Sequence, residues 1–179
     1  MMGTSGVRRF FGKYRAVVLN NVDPEQRGRL MLSVPGVLGA VPSGWAEPVV
    51  PLAGPSGPGM GVYMVPPIGA GVWAEFEGGD PSYPIWNGCR WGASSDVPSM
   101  ALMGNPADPN IVIQSLLQHQ IVVSDMPPSP ATGGIILQST TGAKVVVNDS
   151  GIYIDNGKGA SIMMVGNTIT VNNGALTIV

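Results

Sequence analysis

The chain has 179 residues, room for one full domain with a smaller appendage, and its formal net charge of −2 with 11% charged residues gives no global pull toward nucleic acid or an anionic membrane. Its 26 glycines and 17 prolines demand many tight turns, while a 44% hydrophobic content is enough to build a core. The lone Cys89 excludes an intramolecular disulfide framework. The basic start MMGTSGVRRFFGKY lacks the apolar stretch of a secretory signal, and no run of about 18 apolar residues spans a bilayer. Synthesis in a cytoplasm without a signal peptide is the expectation.

After an N-terminal arm (1–13), short β-like runs alternate with turn residues. Tyr14 to Leu19 and Arg29 to Val34 flank the polar stretch NNVDPEQRG. Then come Ala46 to Leu52, Val62 to Val65, Val72 to Glu77 and Tyr83 to Cys89, separated by Gly- and Pro-rich connections such as Ala53–Gly61. Five or six short strands fit a small closed barrel better than a sandwich, and an oligonucleotide/oligosaccharide-binding (OB) barrel is expected over 14–91.

Composition then shifts. Seven of the nine Lys and Arg residues and all four tryptophans lie at or before Trp91. The stretch 92–110, containing SSDVPS, reads as a connector. Helix signals are weak throughout; Ile111 to Gln118 could make a short helical stretch, but its Ile-Val-Ile start argues equally for a strand. Met126–Gly134 (MPPSPATGG) reads as a turn or kink. From Gly134 onward six short strands are expected at intervals of about 6–10 residues, separated by Gly, Asn and Asp turns. Alternation is cleanest where Ile152 and Ile154 flank Tyr153, Ile169 and Val171 flank Thr170, and Leu176 and Ile178 flank Thr177. One face is aliphatic and the other is expected to be mostly polar or small.

Such a segment (111–179) has no helix to cover its apolar face, and few charges to guard its edges. Identical copies that intertwine solve the problem, with Ile152, Ile154, Ile169, Val171, Leu176 and Ile178 on a common axis. Roughly 6–8 inward aliphatics at ~1.5–3 kcal/mol each would be buried only on assembly. Three chains are the smallest number that closes such a prism.

The ordered string V-x-x-N-x-D-P-x-x-x-G-R-L over Val18–Leu30, W-A-x-P over Trp45–Pro48, and P-P-x-G-x-x-V-x-x-x-F-E-x-G-D-P from Pro66 resembles the OB domain of contractile-tail spike proteins. These are phage baseplate assembly protein V and the equivalent type VI secretion and extracellular injection spikes. Pro84-Ile85-Trp86-Asn87-Gly88 matches the close of that domain, and GAKVVVNDSGIYIDNGKGASIMM with VNNGAL is similar to the family's β-helical shaft. The resemblance implies an all-β homotrimer, an N-terminal OB collar followed by an intertwined triple-stranded β-helix. Its work would be to pierce the target cell envelope on sheath contraction, from the virion tail baseplate. Only 13 residues precede Tyr14, so the tail hub would be a separate protein, docked through Arg8, Arg9, Phe10, Phe11 and Lys13. A separate tip-capping protein could sit beyond the last strand. Alternatives are the spike of a type VI or extracellular injection system, or a trimeric receptor-binding fibre with an OB head.

Enzymatic readings are weak. His119 is the only histidine, so a conventional triad would have to be built around it, and a packed or capping role is simpler. One histidine per chain becomes three around a trimer axis, a permissible metal-ligand number, but the His-x-His of iron-tipped spikes is absent. Glu75 and Glu77 are expected on one face of a strand as solvated carboxylates. The cations Arg8, Arg9, Lys13, Arg15, Arg27 and Arg29 interleave with Phe10, Phe11 and Tyr14 as in single-strand binders. The acidic balance and the shaft favour a docking surface over a nucleic-acid site. No cofactor signature is present.

Overall fold

A computed structural model describes residues 8–55 and 57–178, and the chain divides into two compact units between Gly92 and Ala93. The first is a closed five-stranded barrel of β1 (Tyr14–Asn20), β2 (Leu30–Ser33), β3 (Pro42–Pro48), β4 (Gly71–Phe76) and β5 (Pro84–Arg90), ordered β1-β2-β3-β5-β4. All pairs are antiparallel except β3 with β5, and β4 closes the ring onto β1. Alternation puts Ala16, Val18, Leu30, Leu32, Val72, Ala74 and Trp86 inside. Alanine sits beside leucine and tryptophan in register, Ala46 with Leu30 and Ala74 with Trp86, the small-large mixture that suits a narrow barrel interior.

The β1–β2 connection is built around Asp23. Its carboxylate accepts backbone N–H bonds from Glu25, Arg27 and Arg29, and the Arg29 guanidinium approaches to 2.7 Å. The Asp23 side chain is only 2% exposed, so the ion pair and the backbone bonds together satisfy a charge that burial alone would not tolerate. The Arg29 hydrogen bonds hold the carboxyl far below the usual range. Gly28 turns the chain back at φ 79°, and its carbonyl accepts the buried Trp86 indole N–H at 3.0 Å. The D-P-x-x-x-G-R motif is therefore a folding device that ties the first loop to the last strand.

The barrel has five strands, within the expected five or six, and its third lies earlier than expected. The chain leaves the sheet after Pro48, where Pro48 and Pro51 withhold ladder donors. Val62–Val65 forms no ladder; a single bridge, Ala53 with Gly61, closes an excursion over 53–61. The expected β1, β2, β4 and β5 match observed strands within one or two residues at each end.

The second unit is an eight-stranded antiparallel meander: β6 (Ile111–Gln114), β7 (Gln120–Ser124), β8 (Gly134–Gln138), β9 (Lys144–Asn148), β10 (Gly151–Asp155), β11 (Ser161–Val165), β12 (Thr168–Val171) and β13 (Leu176–Ile178). The stretch Ile111–Gln118 resolves as a strand followed by a turn, with Gln118 at φ 64°. Asn148 holds the long loop between β7 and β8, donating to the carbonyls of Ser129 (2.8 Å) and Gly133 (3.0 Å). Gly134 must be glycine: its φ is 100°, and a Cβ there would collide with the Val147 carbonyl.

One face of this sheet departs from expectation. It is not simply polar or small: Val122, Ile136, Val146 and Tyr153 align in register as an apolar row that is almost fully buried. Met100, on the 3-10 turn Ser99–Leu102, packs against the row, and Asn110 donates to the Met100 carbonyl at 2.7 Å. Part of the connector is thus the lid of a small core. Toward β12 the row becomes Thr170.

Asp23→Asn is expected to lower the barrel's thermal midpoint at pH 7, with the sheet unit unaffected. Because the folded-state pKa of Asp23 is depressed, its contribution is complete above the ordinary value of about 4 and is lost as pH falls below it. Thermal melts from pH 7 to 2 should show an acid-side loss in the native chain that is blunted in the Asn variant.

Candidate functional site: an uncovered aliphatic face

The opposite face of the meander carries two continuous ladders. Following the register from β6 to β13, one runs Ile111, Val123, Ile135, Val147, Ile152, Met164, Ile169, Ile178. The other runs Ile113, Ile121, Leu137, Val145, Ile154, Ile162, Val171, Leu176. No polar residue interrupts either ladder. At a strand spacing of ~4.8 Å they extend about 34 Å up the sheet.

Neighbouring residues show how one-sided the burial is. Ile136 is 0% exposed and Ile135, one residue away on the other face, is 52% exposed. Leu137, Ile154, Leu176 and Ile178 are comparably open. Covering the remaining half of each such side chain is worth roughly 1 kcal/mol, so the ladders together represent on the order of 10 kcal/mol per protomer. That equals the whole net stability of an ordinary domain. A contiguous apolar strip of this size marks an interaction surface.

All six residues assigned to an axis from the sequence, Ile152, Ile154, Ile169, Val171, Leu176 and Ile178, lie on these ladders. Sequence reasoning missed the other ten. In IVI, IVV, IIL, VVV and IMM both faces are apolar, so alternation alone could not choose between them; only the register with the other strands does.

The N-terminal arm is placed differently from expectation. Its first seven residues lie outside those described. From Arg8 onward the arm lies on the barrel: Phe10 donates its N–H to the Gly79 carbonyl at 2.8 Å and packs against Tyr14 and Phe76. Phe10 thus belongs to the barrel core and is not a free contact. Arg9 pairs with Asp80 (3.1 Å) and Lys13 with Glu75 (2.6 Å). Arg8 lies over the Phe10 ring at 5.0 Å, and Phe11 is 72% exposed. Arg27 pairs with Glu25 and Glu47, so the basic cluster is largely matched by carboxylates.

Glu75 and Glu77 do not form a carboxylate pair on one strand. Glu77 begins the 3-10 turn after β4, whereas Glu75 stays on the strand with Lys13 and Asn87 holding its pKa below the usual value. His119 is neither packed nor buried; it closes the β6–β7 turn, its N–H donating to Ser115 Oγ at 3.2 Å. It lines a shallow groove with Ile113, Ile121 and Leu137 at the margin of the aliphatic face. Cys89 is exposed, and partial burial raises its thiol pKa. Among the described residues no group of three or more His, Cys, Asp or Glu side chains is placed to hold a metal, and no helix is long and apolar enough to cross a membrane.

A closed five-stranded barrel joined to a β-meander with one uncovered aliphatic face defines a class: an OB-domain injector protein with a C-terminal assembly domain. Residues 14–91 match the type VI secretion system/phage-baseplate injector OB domain, and residues 110–177 match the phage baseplate V C-terminal trimerisation domain. The chain belongs to the phage baseplate V family; it is a structural baseplate spike protein, and its C-terminal unit is a domain of homotrimer formation. No curated protein matches the chain.

Substitutions at adjacent residues should separate the two faces. Ile136→Ala is expected to cost the sheet unit about 2–5 kcal/mol in urea denaturation, as a core cavity does. Ile135→Asn should leave secondary structure intact by circular dichroism while increasing the monomer fraction in analytical ultracentrifugation.

Proposed function

We propose that three copies bring their aliphatic ladders together on a common axis, each sheet forming one wall of a stiff prism. The prism works as the piercing shaft of a phage tail. The observation that carries this reading is the pair of uninterrupted ladders, which keep exposed side chains along their length among the described residues. In this reading the barrels form a collar beneath the tail tube and hub, and sheath contraction drives the shaft into the target cell envelope. The protein acts mechanically and not as an enzyme. Support comes from Glu75 and Asp80 on the barrel, which are engaged in ion pairs with Lys13 and Arg9 and have lowered, not raised, pKa values.

Of the arm residues assigned to hub docking, Arg8 and Phe11 are the ones whose charge and ring are not committed to a carboxylate or the core, and they are the contacts we assign to the hub. Nucleic acid is not a partner in this reading, because Arg9, Lys13, Arg27 and Arg29 already serve carboxylates. A separate capping protein against the edge strand β13 belongs to this reading. In this reading the chain acts in the virion, at the tail baseplate.

Light scattering of the purified chain tests the assembly. A particle of three protomer masses is expected, and Leu176→Asp, which places a charge on the axis, should shift it toward monomer or aggregate. A native chain that stays monomeric at micromolar concentration would overturn the prism.

A further inference from the structure

The strands of the meander run back and forth, so its turns alternate between two lateral margins. One margin carries the β6–β7 turn (115–119) and the β10–β11 turn (156–160); the other carries the β7–β8 loop (125–133) and the β9–β10 turn (149–150). Charge is scarce in this unit, and it is sorted. His119 immediately precedes β7 and Asp125 immediately follows it. Asp149 lies just before β10 and Lys158 just after it. Because β7 and β10 run in opposite directions, both acids fall on one margin and both basic groups on the other. All four are exposed, and none joins an ion pair among the described residues. The other two charges on the sheet, Lys144 and Asp155, face each other in register on a single margin and offset locally.

We infer that the two margins are complementary halves of one interface between copies of this chain: Lys158 of one copy pairs with Asp149 of the next, and His119 with Asp125. This rests on the trimer reading and adds its register. In a closed ring, rotation about the axis brings the basic margin of each copy to the acidic margin of its neighbour, a head-to-tail contact without axial shift. His119 and Asp125 flank the same strand and therefore meet at one height. Asp149 and Lys158 flank β10 and meet at another, three strand spacings or ~14 Å away. That separation is too great for Asp125 and Asp149 to share a cation, which favours a second copy over a metal ion as what the acidic margin receives. Slipping the sheets by one strand would leave Asp125 and Asp149 without their partners. The ladders are apolar at every level and cannot specify height, so these charges set it.

A charge-reversal cycle on the full-length chain tests this. Lys158→Glu and Asp149→Lys each place like charges across all the contacts of the ring, and each should weaken assembly by about tenfold or more in the trimer dissociation constant. The double reversal restores opposite charges and should return the constant to within about twofold to threefold of the native chain. Both sites are exposed turns, and circular dichroism checks that each variant keeps its sheet. A native trimer that ignores the single reversals, or a double variant as weak as the sum of both, would overturn the pairing and leave the trimer standing. A native monomer would remove both.

Discussion

Side chains on a β-strand must alternate, and the C-terminal unit loads every position of one face with an aliphatic group across eight consecutive strands. Its other features answer to that constraint. Short Gly- and Asn-rich turns keep the strands in a tight meander so that the ladders stay continuous. The connector supplies Met100 to the opposite face and completes a small core there. The protomer thus has a fold of its own and a second apolar surface that only assembly can remove from water. These are two separate demands, met by residues that alternate one by one along the same strands.

The barrel is governed differently. Its interior is filled by small and large residues from five strands, and its most exacting feature is polar. Asp23 is buried because three backbone N–H groups and one guanidinium converge on it, and the turn they define sets Gly28 where Trp86 can reach its carbonyl. A short stretch of sequence thereby connects the first hairpin to the last strand. This ordered string, rather than overall hydrophobicity, is what makes the barrel recognisable.

The strands that could be read from sequence were those with turn formers at both ends and alternation between. β4, with Val72, Ala74 and Phe76 inward, and β10 to β13 are of this kind. The third barrel strand was displaced because Val49, Val50 and Leu52 look like a strand, yet between Pro48 and Pro51 the chain keeps the Val49 N–H bond to the Trp86 carbonyl and then leaves the sheet. The axis residues were legible only where a polar or aromatic residue separated two aliphatics. In β6 to β9 the strands are apolar on both faces, because the inner ladders and the outer core row coincide there. The state of the arm was not legible at all. Phe10 and Phe11 are identical in type, and only the geometry around Gly79 and Phe76 makes one a core residue and the other a surface ring.

The ladders from β6 to β13 pair consecutive strands of one chain. If three such sheets line an axis, the backbone bonds lie along the rod and the strands lie across it. A push on the end is then carried from strand to strand by stacked peptide groups within each wall, while the walls are joined sideways by side chains alone. Such a column resists shortening far better than splaying. In the piercing role proposed above, that one direction is the one a thrust would load.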